Sequence, residues 1–146
     1  MGKIKFFDIY NQDKIIHFKA INKIKKTFKN NDFILGKEVK LFESRFSKFC
    51  SSKYSISCGN GTDALFLALK SLDLPQNSEV IVPAMTWVST ISSIIHCGYK
   101  PILVDVEKDT SLISINEIKK KINSKTKVII PVHLYGNVCM IDKIKK

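Results

Sequence analysis

Ser57-Cys58-Gly59-Asn60-Gly61-Thr62-Asp63-Ala64-Leu65 decides how this chain is read. An extended run, Tyr54 to Cys58, passes through a glycine pair straight into an apolar helical pattern, Thr62 to Leu72. The first turn of such a helix has N–H groups without intrahelical acceptors and about half a positive charge, so an anion held there gains hydrogen bonds and favourable electrostatics. Gly59 and Gly61 permit close backbone approach, and the Thr62 hydroxyl adds a donor. Phosphate suits this geometry, but an ordinary strand-to-helix turn also uses Gly and Thr, and the stretch alone does not separate the two. The dinucleotide fingerprint would need a third glycine and the P-loop a Gly-Lys-Ser/Thr, and the stretch has neither.

Working outward, short apolar strands alternate with helices. Strands are expected at Tyr54–Cys58, Glu79–Pro83, Pro101–Val104 and Lys127–His133, and helices at Thr62–Leu72, Trp87–Cys97 and Ile115–Ile122. Such alternation predicts an α/β fold with a mainly parallel sheet flanked by helices. Turn chemistry falls at the joins: Asp73 to Asn77 after one helix, Gly98 after the next, Gly136 after the last strand. A further helix begins near Met140. Upstream, Ile15, Phe18, Ile21, Ile24 and Phe28 recur at helical spacing within Asp13–Lys29, and Val39, Phe42, Phe46 and Phe49 mark a second helix. The chain thus divides into a leading helical segment, 1–50, and an α/β region, 51–146.

In a parallel sheet, ligands gather outside the carboxyl ends of the strands. Four more candidates lie at or just past such ends. Trp87, the only tryptophan, could stack on a flat ring or simply pack. His133 and Tyr135 leave the last strand and could reach the same cleft, although a lone His at a strand end is commonly structural. Asp105 could face the pocket or cap the following turn.

Composition narrows the function classes. The net charge is +11, yet 23 of the 24 basic residues are Lys and only Arg45 could make bidentate base contacts, so a nucleic-acid partner is not expected. Lysine clusters such as Lys119 to Lys121 read as solvated helix faces. No apolar stretch reaches the roughly 18–20 residues of a membrane span, and Met1 to Tyr10 lacks the apolar run of a secretory signal. A soluble, cytoplasmic protein is expected. Cys50, Cys58, Cys97 and Cys139 have no metal-binding spacing and are expected to be reduced and mostly buried. No metal site is expected.

The run Gly59-Asn60-Gly61-Thr62-Asp63-Ala64-Leu65, the stretch Glu79 to Val106 around Thr86-Trp87, and Thr126 to Gly136 together resemble the DegT/DnrJ/EryC1/StrS group of nucleotide-sugar aminotransferases in order and spacing. Phe33 to Val39, with Phe42, Glu43 and Phe46, is similar to that group's opening sequence. The resemblance implies the large domain of a fold type I pyridoxal 5′-phosphate (PLP) transferase, truncated, in an enzyme that is a homodimer when intact. It also implies a nucleotide-linked keto sugar as substrate, for polysaccharide or other amino-sugar biosynthesis, and glutamate as amino donor. By motif, Gly61, Thr62 and Asp63 would hold the PLP phosphate and Trp87 would stack on the ring. For His133 it implies only proximity.

PLP chemistry needs an amine that holds the cofactor as a Schiff base and a carboxylate opposite the pyridine nitrogen. In the resembled family both come later, so no catalytic residue is expected in this chain and the lysine is expected beyond Lys146. The helix terminus, two or three charge-assisted hydrogen bonds and stacking sum to about 6–12 kcal/mol of gross attraction. Association costs roughly 4–15 kcal/mol, so the chain alone is expected to bind PLP weakly or not at all and to catalyse nothing. Two alternatives stay open: a PLP-dependent sugar dehydratase of the same group, with histidine in place of the lysine, and a non-catalytic remnant. The residue at the lysine position would separate the two enzyme readings.

Overall fold

The computed structural model describes residues 5–145; the first four residues of the segment read for a secretory signal, and Lys146, lie outside them. The described residues form two compact units, one ending at Ser57 and the other starting at Cys58.

The first unit holds α1 (Ile9–Gln12), α2 (Lys14–Asn30) and α3 (Lys37–Phe49). Asp13 starts α2 by accepting the Ile16 amide at 2.9 Å. Asn31, in the left-handed conformation with φ 53°, ends it by donating its amide to Phe28 O. Gly36 precedes α3 because there is no room for a side chain: a Cβ would sit 2.5 Å from Asp32 Oδ1 and 2.7 Å from the Asp32 carbonyl oxygen. Both amphipathic patterns are helical as expected, and Phe42 and Phe46 stack at 5.5 Å, yet no residue of α1, α2 or α3 is buried.

Glu43 on α3 accepts both the Ser57 amide, at 2.8 Å, and the Ser57 hydroxyl, at 2.6 Å. These bonds favour the carboxylate and hold Glu43 below its ordinary value of 4.5. A lowered folded value means that the stabilisation is present above the unfolded value and fades as pH falls through the folded one. A carboxyl-carbon NMR titration should therefore place the Glu43 midpoint below 4.5, and Ser57→Ala should move it back up; an unchanged midpoint would contradict the contact.

The second unit is built on three parallel strands, β1 (Glu79–Pro83), β2 (Lys100–Val104) and β3 (Thr126–Ile129), in the order β2-β1-β3. Every residue of β1 is buried, as the central strand of a parallel sheet covered on both faces must be. Alternation sends Val80 and Val82 to one face, where Leu69, Ile94, Cys97 and Tyr99 cover them. Ile81 goes to the other, against Val104, Ile113, Ile118 and Cys139. The first cover comes from α4 (Gly61–Lys70) and α5 (Val88–His96), the second from α6 (Ile115–Lys121) and the turns around it. At the end of α5, Gly98 adopts φ 80°, with Gly98 N–H on Ile95 O at 2.9 Å and Tyr99 N–H on Ile94 O at 3.1 Å, the helix stop expected of that glycine. The last helix, α7, is short, Ile141–Ile144.

Three expectations need correction. Tyr54–Cys58 is not a strand: it is extended but pairs with nothing described, and Tyr54 and Ile56 are 74% and 84% exposed. β3 stops at Ile129, short of the expected His133. Ile130 still donates to Ile81 O at 2.8 Å, but Pro131 has no N–H to continue the ladder, and the chain turns into a 3-10 segment at Leu134–Gly136. Of the four cysteines only Cys97 and Cys139 are buried; Cys50 and Cys58 are exposed. Burial pushes the Cys97 thiol above its ordinary value.

Candidate functional site

The strand order makes β1 the switch point of the sheet. From β1 the chain crosses over one face through α5 to reach β2, then over the other face through α6 to reach β3 on the far side of β1. Crossovers on opposite faces leave a crevice beyond the carboxyl end of the shared strand. The segment Ala84 to Trp87 follows that end of β1. A cleft of about 310 Å³ opens there, lined by Gly61, Thr62, Leu65, Trp87, Ser89 and Thr90.

Two helix starts meet at this cleft. Asn60 caps α4 with its side-chain oxygen on the Asp63 amide at 2.9 Å, and its amide nitrogen donates to the Asp63 carboxylate at 3.0 Å. Ala64 N–H reaches the Asn60 carbonyl at 3.1 Å. The amides of Gly61 and Thr62 are left with no acceptor among the described residues. A Cβ at Gly59 would come within 2.8 Å of Asp63 Oδ2, so a larger residue there would displace the Asp63 carboxylate. The second start, α5, has Trp87 at its cap position and no side-chain cap. The Trp87 indole is 76% exposed, an apolar face with no packing role that would account for it.

The expected residues therefore separate. Gly61, Thr62 and Trp87 line one cleft. Asp63 stands beside it, with its amide and carboxylate both engaged by Asn60. His133 does not line the cleft; its Nδ1 accepts the Cys139 amide at 3.0 Å, which places any single ring proton on Nε2. Asp105 takes the turn-capping alternative, accepting the Val106 amide at 2.8 Å. Tyr135 is exposed in the left-handed region at φ 53°. The sequence reading missed the hydroxyls around Thr62. Thr62 Oγ1 donates to Ser89 Oγ at 2.8 Å, and the Thr86 and Thr90 hydroxyls share a hydrogen bond at 3.0 Å. Their signal was the run of hydroxyl residues in α5, Ser89, Thr90, Ser92 and Ser93, with Ser89 and Ser93 one turn apart.

The residues fit a phosphorylated aromatic cofactor: two free amides, converging hydroxyls and an open indole, with no carboxylate among the lining side chains. A larger depression of about 510 Å³ lies at the amino ends of the strands. It carries Lys100, Lys125 and Lys127, but the Glu79 carboxylate lies within it, bonded to Asn123 and paired with Lys100, and no aromatic lines it. Among the described residues there is no cluster of metal-ligating side chains and no helix long and apolar enough to cross a membrane.

Comparison with known proteins gives the same direction. The chain is 38% identical over 141 residues to the UDP-2-acetamido-2-deoxy-3-oxo-D-glucuronate aminotransferase of Pseudomonas aeruginosa, covering 97% of this chain and 39% of that protein. Among solved structures, NtdA from Bacillus subtilis with the cofactor PMP bound superposes with a TM-score of 0.91 at 29% identity, covering 99% of this chain and 34% of that one. A DegT DnrJ EryC1 StrS aminotransferase from Brucella abortus superposes at 0.86 with 29% identity, covering 98% and 40%. The parallel sheet and its flanking helices thus have the fold of part of a PLP-transferase large domain. The chain spans between 30% and 39% of the length of the curated relatives it matches. The model of the DegT/DnrJ/EryC1/StrS aminotransferase family matches residues 14–146, and the chain belongs to that family.

Proposed function

We propose that this chain supplies the phosphate- and ring-binding half of a PLP site, in a protein that transfers an amino group from glutamate to a keto sugar carried on a nucleotide. The observation that carries the reading is the meeting of the open α4 amides and the exposed Trp87 at the carboxyl end of β1. Support for the substrate class comes from relatives named as aminotransferases of nucleotide-linked sugars, the P. aeruginosa enzyme among them. A homodimeric, cytoplasmic enzyme of amino-sugar biosynthesis is the setting we propose.

When bound, PLP supplies an electron sink in its pyridine ring. The chain's own contribution is binding and orientation. The Gly61 and Thr62 amides would donate to the phosphate, and the positive end of α4 would favour the dianion. Trp87 would stack on the ring and exclude water from that side. Asp63 acts indirectly, fixing the Asn60 cap that keeps the α4 start open.

The test is a titration with pyridoxamine 5′-phosphate, which has the ring and phosphate but no aldehyde to react with surface lysines. Trp87 fluorescence should be quenched in a saturable way while the Gly61 and Thr62 amide resonances shift. Shifts confined to the depression around Lys100, Lys125 and Lys127 would overturn the reading.

A further inference from the structure

Helices α4 and α5 are joined by a polar seam with a four-residue repeat. Ser89 Oγ accepts from Thr62 Oγ1 at 2.8 Å; one turn on, the fully buried Ser93 donates from Oγ to the Thr62 carbonyl at 3.4 Å. One turn further, Cys97 Sγ donates to the Phe66 carbonyl at 3.6 Å. Positions 89 and 93 share one face of α5, Cys97 at its carboxyl-terminal cap continues that line, and 62 and 66 share one face of α4, so the contacts fix how the two helix starts lie relative to each other. Thr62 is held at both its hydroxyl and its carbonyl.

This seam decides which hydroxyl can serve an anion. A phosphate dianion only accepts hydrogen bonds, and a hydroxyl has one proton to give. The Thr62 proton is spent on Ser89. Ser89 lines the cleft, and its hydroxyl accepts from Thr62 without donating to any acceptor among the described residues. We propose that Ser89 is the side-chain donor to the cofactor phosphate, with Thr62 orienting it through the hydroxyl pair rather than contacting the phosphate as donor itself. The proposal rests on the phosphate-site reading above and adds a residue and a direction to it. The donation also joins the second helix start to the site, since Ser89 lies in the first turn of α5.

The experiment is the pyridoxamine 5′-phosphate titration of the 146-residue chain, repeated with unphosphorylated pyridoxamine. Ser89→Ala should weaken pyridoxamine 5′-phosphate binding about tenfold, the scale of a lost hydrogen bond to a charged group, and leave pyridoxamine binding unchanged. Ser89→Thr should restore affinity. Thr62→Val should also weaken binding, and the double variant should be no worse than the weaker single variant, because the two hydroxyls act as one relay. Ser92→Ala, on the same helix but outside the seam, should bind as the parent does. Full affinity in Ser89→Ala overturns the proposal, as does an equal loss for both ligands, which would mark a merely structural serine. Additive losses in the double variant would overturn the relay. If the parent chain shows no shift at Gly61 and Thr62, the phosphate-site reading itself has failed; if those shifts occur and only the Ser89 effects are missing, this inference alone has failed.

Discussion

Given PLP, glutamate and a nucleotide-linked keto sugar, the 146-residue chain should release no 2-oxoglutarate in a coupled assay. Transamination needs an amine that forms a bond to the cofactor and then moves protons at the reacting carbon, and positioned proton transfer alone is worth about 10²–10⁴ in rate. No lysine lines the cleft; its side chains are hydroxyl, apolar or aromatic. They can bind and orient but cannot act as the amine. PLP absorbance should accordingly be lost on gel filtration. Turnover above the rate without protein, or a borohydride-stable adduct concentrated on one lysine, would show that the chain contains more of the reaction machinery than this cleft.

Ile81→Ala should cost about 2–5 kcal/mol of stability in the sheet unit, the range for deleting most of a fully buried aliphatic side chain. Ile81 is completely buried at the middle of the central strand, packed with Val104, Ile113, Ile118 and Cys139. Both neighbouring strands meet it: Ile102 is its partner in β2 and Ile129 in β3. Few side chains could collapse into the void without disturbing a ladder. Ile95→Ala, on the outer side of α5 and 56% exposed, should cost under about 1 kcal/mol. Urea unfolding followed by circular dichroism compares them; equal midpoints would mean that the sheet core does not control the stability of this unit.

What the sequence revealed depended on how local the responsible interactions are. Helices satisfy their own backbone groups, so their apolar spacing and the Gly98 stop were readable from adjacent residues. β1 was readable because a strand buried on both faces is apolar throughout. Tyr54–Cys58 has the composition of a strand, but a strand exists only when another edge pairs with it, and composition cannot show that. The site divides in the same way. Gly61, Thr62 and Trp87 follow from their positions after apolar runs. Ser89 becomes informative only when α4 and α5 lie side by side, which brings its oxygen to Thr62 from 27 positions away in sequence. His133 looked equivalent to Trp87 on position alone, but its ring turns back to the Cys139 amide.

The parallel arrangement of the strands also bears on the order in which the unit assembles. Glu79 pairs with Lys100 in β2 but with Thr126 in β3, more than twice as far along the chain. Each doubling of a closed loop adds about 0.6 kcal/mol of lost chain entropy, so β1-α5-β2 is the cheaper of the two closures, by under about 1 kcal/mol. Trp87 and Ser89 lie inside that first closure, and Thr62 lies on the helix that packs against it. The cleft residues thus belong to the most local closure of the sheet, and a ligand that binds only when α4 lies against α5 would stabilise that closure by mass action.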